Sequence, residues 1–183
     1  MANVVHRSIE QHAATQPQAT ALMDSDRSLT YRELNSRANV VARHLIAGGL
    51  RRGSVVLVRM DRSTDLVIVL LAILKAGAAY CWLDPERSYD MPRGVHLLRH
   101  KGDRETMYLG LDISSVLNGS SNGSSPNLPI LTRGTEPACV LPDELGNPTV
   151  PVPHAVVAAS DFWSGLTTGA ALSLAALPTQ VAA

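Results

Sequence analysis

His96 and His100 stand four residues apart, and on a helix that spacing would bring two imidazoles to one face, as a metal ion requires. The glutamate of an HExxH pattern is missing and no third ligand is evident. A solvated helix face is therefore the expectation, with no metal site. Lys75 invites a reading as a catalytic amine, but it falls in the last turn of an apolar segment, where the helix dipole favours a cation. His154 has no serine or cysteine partner suggested by the sequence. Nucleophile elbow, Walker loop, dinucleotide fingerprint and zinc pattern are all absent. Residue types alone thus point to no catalytic side chain.

The elements that must position these groups are legible from periodicity. Val4–Thr15 reads as a short helix, and Ala19–Met23 and Ser28–Tyr31 as strands around a turn at Asp24–Arg27. Thr30 and Glu33 match a capping box. Leu34, Ala38, Val41 and Leu45 then mark one helical face, which Gly48–Gly49 ends. Ser54–Val58 is a continuous apolar strand. Ser63 or Thr64 caps a helix whose Leu66–Leu74 core is apolar on every side. Gly77 stops it, and Ala78–Leu83 is the next buried strand. Strands alternating with helices predict an α/β fold with right-handed parallel crossovers.

Beyond this core the pattern weakens. A helix is expected over Asp90–His100 and a strand over Glu105–Leu109. From Asn118 the run NGSSNGSSPN reads as a flexible loop, and its two glycosylation-type triplets as unmodified loop. Ile130–Leu131 and Ala138–Leu141 are short strand candidates. Pro142, Pro148, Pro151 and Pro153 break the stretch that follows, and His154–Gly165 can be helical. Four regions result: an α/β core over 1–117, a loop over 118–129, a segment over 130–165, and an Ala/Leu-rich tail over 166–183. Gly165 and Gly169 form a GxxxG pair, weak in such a tail.

Composition excludes several roles. In 183 residues the formal net charge is zero, so no basic surface argues for nucleic acid or an anionic membrane. The longest apolar run, Leu66–Leu74, falls far short of the ~20 residues of a membrane span. The N-terminal segment has no apolar stretch of the secretory kind. Cys81 and Cys139 are far apart, which fits a reduced, cytoplasmic protein. Zero net charge gives little repulsion between copies, so self-association is expected.

Two segments carry a resemblance. LTYREL at Leu29–Leu34 lies within PQATALMDSDRSLTYRELNSRANVVARHLIAGGL, and LKAGAAYCWLDP at Leu74–Pro85 within GSVVLVRMDRSTDLVIVLLAILKAGAAYCWLDPE. In order and spacing they resemble the first two signature motifs of nonribosomal peptide synthetase adenylation domains, in the acyl-adenylate-forming superfamily. About half the chain is covered. Cys81–Trp82 departs from the usual small aliphatic residue followed by Pro or Leu, which alters packing. The resemblance implies the N-terminal α/β subdomain of such a domain, with a mostly parallel sheet flanked by helices. In the family these two motifs build scaffold.

The resemblance also implies a Ser/Thr/Gly-rich loop with a lysine, which cradles the ATP phosphates and ends near a histidine. At the matching place this chain reads LPDELGNPTVPVPH, Leu141–His154. Gly146, Pro148 and His154 keep the frame. Pro142–Leu145 replaces the Ser/Thr/Gly run, Thr149 and Val150 stand where Pro-Lys-Gly would fall, and the segment is a few residues shorter. Asp143 and Glu144 bring negative charge toward a polyanion, and Pro142 removes an amide donor. Only Gly146 retains the freedom for a tight backbone nest. Each loss costs of order 1–3 kcal/mol. The ATP and Mg²⁺ of the intact family are therefore expected to be lost.

No YGPTE-like segment, ribose-binding aspartate or C-terminal lysine subdomain occurs in the 183 residues. The expectation is a truncated, degenerate adenylation domain without intrinsic activity, serving as a structural, docking or dimerisation element. Its expected partners are carrier or condensation domains, or a second copy of itself. The competing expectation is an amino-acid-activating fragment that works only with a partner supplying the missing subdomains. Truncation should also expose faces of the Leu66–Leu74 helix.

Overall fold

The computed structural model describes residues 4–24, 27–89, 96–101, 105–108, 111–112, 114–118, 125–129 and 132–176. Helix α1 spans Val5–Thr15 and leads into β1, Thr20–Met23, and β2, Ser28–Thr30. Helix α2, Tyr31–Ala47, begins at the expected capping box. The Thr30 hydroxyl accepts from the Glu33 amide, and the Thr30 amide donates to Glu33 Oε2 at 2.8 Å. Its face of Leu34, Ala38, Val41 and Leu45 is fully buried.

Strand β3, Val55–Arg59, α3, Thr64–Lys75, and β4, Ala79–Trp82, form a parallel crossover unit. Ser63 caps α3 by accepting from the Leu66 amide. Every residue from Leu66 to Leu74 has 0% exposure. No face of α3 is available to a second copy, contrary to expectation, because α1 and α2 pack over it while its inner side meets the sheet.

Among the described residues the strands form two sheets. The larger has the order β7-β6-β5-β3-β4-β8-β9, where β5 is His96–Lys101, β6 Glu105–Tyr108, β7 Leu111–Asp112, β8 Pro137–Pro142 and β9 Pro148–Pro153. Strands β5, β3, β4 and β8 run parallel, and antiparallel hairpins close both edges. The smaller sheet sets β1 between β2 and β10, Leu172–Ser173. The strand before α2 thus belongs to a different sheet from the one after it, so the parallel crossovers begin only at β3. Alternation along the central strands buries both faces of the larger sheet. Val56, Val58 and Tyr80 join the core under α3, while Leu57, Cys81 and Val140 pack on the opposite side.

Four further expectations are corrected. His96–His100 is strand, not helix, because β5 is pinned by β3 on one side and β6 on the other; residues 90–95 lie outside the described set. The proline-rich stretch after Asn147 does not break the chain but forms β9, an edge strand, where missing amide donors are tolerated. His154–Gly165 is not one helix: α5 covers His154–Val157, a turn follows, and α6 covers Ser164–Thr168. The segment expected as a tail instead supplies β10 to the smaller sheet, followed by a 3₁₀ turn at Leu174–Ala176.

The loop expected over 118–129 begins with Asn118 as the end of helix α4, Ser114–Asn118. Its later part is anchored on α2: Asn39 donates to the Ser125 carbonyl at 2.8 Å, and Arg43 to the Ser125 hydroxyl at 2.7 Å. Asn122 and the strand candidate Ile130–Leu131 lie outside the described residues. Gly169 serves as the left-handed C-cap of α6, at φ 93°. A Cβ there would lie 2.6 Å from Gln16 Nε2, so this glycine admits α1 rather than a membrane partner.

Candidate functional site

The segment expected to correspond to a phosphate loop folds as the β8–β9 hairpin, with its tip at Asp143–Asn147. Two strands rich in β-branched and proline residues need a tight reversal here, and the sequence supplies an aspartate at its head and a glycine inside it. Asp143 Oδ1 accepts from the Leu145 amide at 2.9 Å and the Asn147 amide at 2.8 Å. Asn147 Nδ2 donates to Asp143 Oδ2 at 3.1 Å. The Gly146 amide donates to the Asp143 carbonyl, and the Asp143 amide to the Asn147 carbonyl. Donation from the Asn147 side chain, then from its amide, holds the Asp143 carboxyl below its ordinary range.

Amides that could cradle a phosphate are therefore already engaged with a carboxylate of the chain itself. Gly146 adopts φ 87°, and a Cβ there would sit 2.3 Å from the Tyr89 ring. Its freedom serves the turn and the approach of Tyr89. Arg87 stacks over the same ring at 5.8 Å and donates to the Glu144 carbonyl at 3.3 Å. Thr149 donates its hydroxyl to the Leu141 carbonyl. At this tip the amides of Asp143, Leu145, Gly146 and Asn147 are engaged within the turn, the carboxylates of Asp143 and Glu144 stand there, and no lysine lies in the turn.

The three residues of the expected frame are not brought together. Gly146 and Pro148 lie at the tip. His154 starts α5 at the far end of β9, about 20 Å away by strand rise. Its ring is fully buried and meets His6 of α1 edge-to-face, with ring centroids 5.7 Å apart. His6 Nε2 lies 3.3 Å from the Thr132 hydroxyl. Beside them Lys75, the last residue of α3, forms a buried ion pair with Glu10 of α1.

Burial lowers the Lys75 pKa, and the Glu10 charge partly restores it. Burial, then the Lys75 charge, pushes His6 down to about 3; burial pushes His154 down to about 4. Both imidazoles are neutral in the fold. Sequence spacing could not announce this cluster, since its members come from α1, α3, α5 and the residue Thr132. The only local signal was a lysine ending an otherwise apolar helix.

On β5, His96 and His100 are about 13 Å apart along the strand, too far to share an ion. Among the described residues no group of three or more His, Cys, Asp or Glu could hold a metal. The Tyr31 hydroxyl lies 3.0 and 2.9 Å from the carbonyls of Leu166 and Ala170, and burial raises its pKa to about 12. The Trp82 indole donates to the Met60 carbonyl at 3.1 Å, which shows how the unusual Cys81–Trp82 pair is accommodated. Cys81 and Cys139 are free buried thiols on opposite faces of the sheet.

Comparison with known proteins adds family and fold. The model of the family described as AMP-binding enzyme matches residues 9–132. Malpinin synthetase of Mortierella alpina is 36% identical over 151 residues, 80% of this chain and 2% of the synthetase. Bacitracin synthase 1 of Bacillus licheniformis is 34% identical over 161 residues, 82% of this chain and 3% of that protein. The chain thus spans a few per cent of the length of these curated relatives. The N-terminal subdomain of Klebsiella oxytoca NpsA, solved with 3-hydroxyanthranilyl-AMSN, superposes with a TM-score of 0.69 at 22% identity. That match covers 93% of this chain and 52% of the subdomain. An adenylation–PCP fusion of NpsA with ThdA matches with a TM-score of 0.69 at 21% identity, over 94% of this chain and 39% of the fusion.

Proposed function

Because this chain belongs to the AMP-binding enzyme family, as the N-terminal portion of a nonribosomal peptide synthetase adenylation domain, we propose that it is a catalytically silent member. It serves a synthetase assembly line in the cytoplasm as a structural and docking element. The observation that carries this is the Asp143 carboxylate, which accepts from the two turn amides that would otherwise face a phosphate. Glu144 beside it and the absence of a lysine in the turn support the same conclusion. Neighbouring carrier or condensation domains, or a second copy, are the partners. Exposed Leu145, Val150 and Val156, at 72%, 53% and 51%, offer apolar contacts on the hairpin and α5.

Calorimetry with ATP–Mg²⁺ and a panel of amino acids tests the proposal; saturable ATP heat would end it. The competing function is an amino-acid-activating fragment completed by a partner chain, and family membership is what favours it. Pyrophosphate exchange dependent on an amino acid, measured alone and with candidate partners, separates the two. The silent role predicts none under either condition.

A further inference from the structure

Three buried ring nitrogens, Nδ1 of His6 and both nitrogens of His154, have no hydrogen-bond partner among the described residues. The carboxylates nearby are already committed. Glu10 is paired with Lys75, and Glu136, which faces His154, forms an ion pair at 2.6 Å with Arg52. The other charged groups felt here are cationic: Arg7 of α1 acts on His6, and Arg43 of α2 on Lys75. Helix α6, also packed on α1, contributes no titratable side chain. A proton on His6 would place a second cation beside Lys75, and a proton on either ring would sit in a buried site whose nearby carboxylates, among the described residues, are already paired.

We propose that His6 and His154 form an acid-released latch, whose protonation frees α1 from α5 and from the end of α3 while α3 and the larger sheet stay folded. The distinction follows from composition. From Leu66 to Leu74 the contacts of α3 are apolar, whereas α1 adds to Val5 and Ile9 the polar ties His6–Thr132, Glu10–Lys75, His12 with the Thr167 carbonyl, and Gln16 with the Gly169 carbonyl.

The pH window follows from the signs. Both imidazoles have folded pKa values below the 6.5 of an exposed histidine, at about 3 and about 4. Their contribution to closure is complete above 6.5 and is lost as the pH falls through the folded values. Below 6.5 each favours opening by up to about tenfold per pH unit, the pair by up to about a hundredfold. Glu33 and Asp143, both held below the ordinary carboxylate range, add their losses at more acid pH.

Hydrogen-exchange mass spectrometry of the full chain at pH 7.5, 6.5 and 5.5, corrected for intrinsic rates, reads the latch directly. Protection of 5–15 should fall by only a few-fold from pH 7.5 to 6.5 and by more than tenfold from 6.5 to 5.5, while 66–74 stays protected. His6→Gln and His154→Gln should each reduce the steepness, and the double variant should remove it. Where a variant does not fold, imidazole NMR of the unaltered chain decides: the closed form should hold two histidines that do not titrate down to pH 5. Titration of all histidines near 6.5, protection of α1 independent of pH, or loss of α1 and α3 together would overturn the latch.

Discussion

At Asp143 a carboxylate does for the turn what a bound phosphate does at a glycine-rich nest: it accepts successive amide hydrogens. Gly146 completes the turn under two constraints, a positive φ and the ring of Tyr89. Gly146→Ala should destabilise the protein by about 1–3 kcal/mol, read as a lowered midpoint in urea. Adding Tyr89→Ala should recover only part of that loss, because the backbone strain remains. Full recovery would place the whole cost on the ring. Charge and the missing lysine in the sequence lead only to the expectation that no phosphate is held here. The sequence could not announce that the Asp143 carboxylate folds back onto the amides, because that depends on an Asx-type turn closed by Asn147.

At the scale of elements, α2 and α3 were legible because their signals are local: a capping box, an apolar face, a run with no polar side. Strand β5 was not, because HLLRHK carries no clean alternation and its conformation is fixed by β3 and β6. Strand β9 was hidden by prolines that an edge position tolerates. The junction of α1 with α3 yields a prediction of its own. Removing one partner of the buried Lys75–Glu10 pair, by Lys75→Met or Glu10→Leu alone, should cost about 3–5 kcal/mol. The double change Lys75→Met with Glu10→Leu should come close to neutral, measured as a double-mutant cycle in denaturant. Additive single costs would mean the two charges are stabilised independently.

As a whole molecule, the chain assembles the fold of an adenylation-domain N-terminal subdomain. Both sheets form, α3 is sealed, and the terminal segment docks through β10 onto β1. With α3 enclosed, self-association would use the exposed apolar residues of the hairpin and α5, Leu145, Val150 and Val156. Multi-angle light scattering should give a dimer at high concentration that Leu145→Lys with Val150→Lys returns to monomer. A strict monomer at every concentration would remove the self-docking role. Family and fold class were readable in the order of two motifs, whereas the way distant segments close the smaller sheet was not, since pairing between β1 and β10 leaves no local trace. The central claim, that this scaffold no longer grips a triphosphate, is tested most directly by titrating ATP–Mg²⁺ into the full chain in a calorimeter. No saturable heat is expected up to millimolar nucleotide, and a saturable isotherm altered by Asp143→Ala would show that the hairpin still holds the triphosphate.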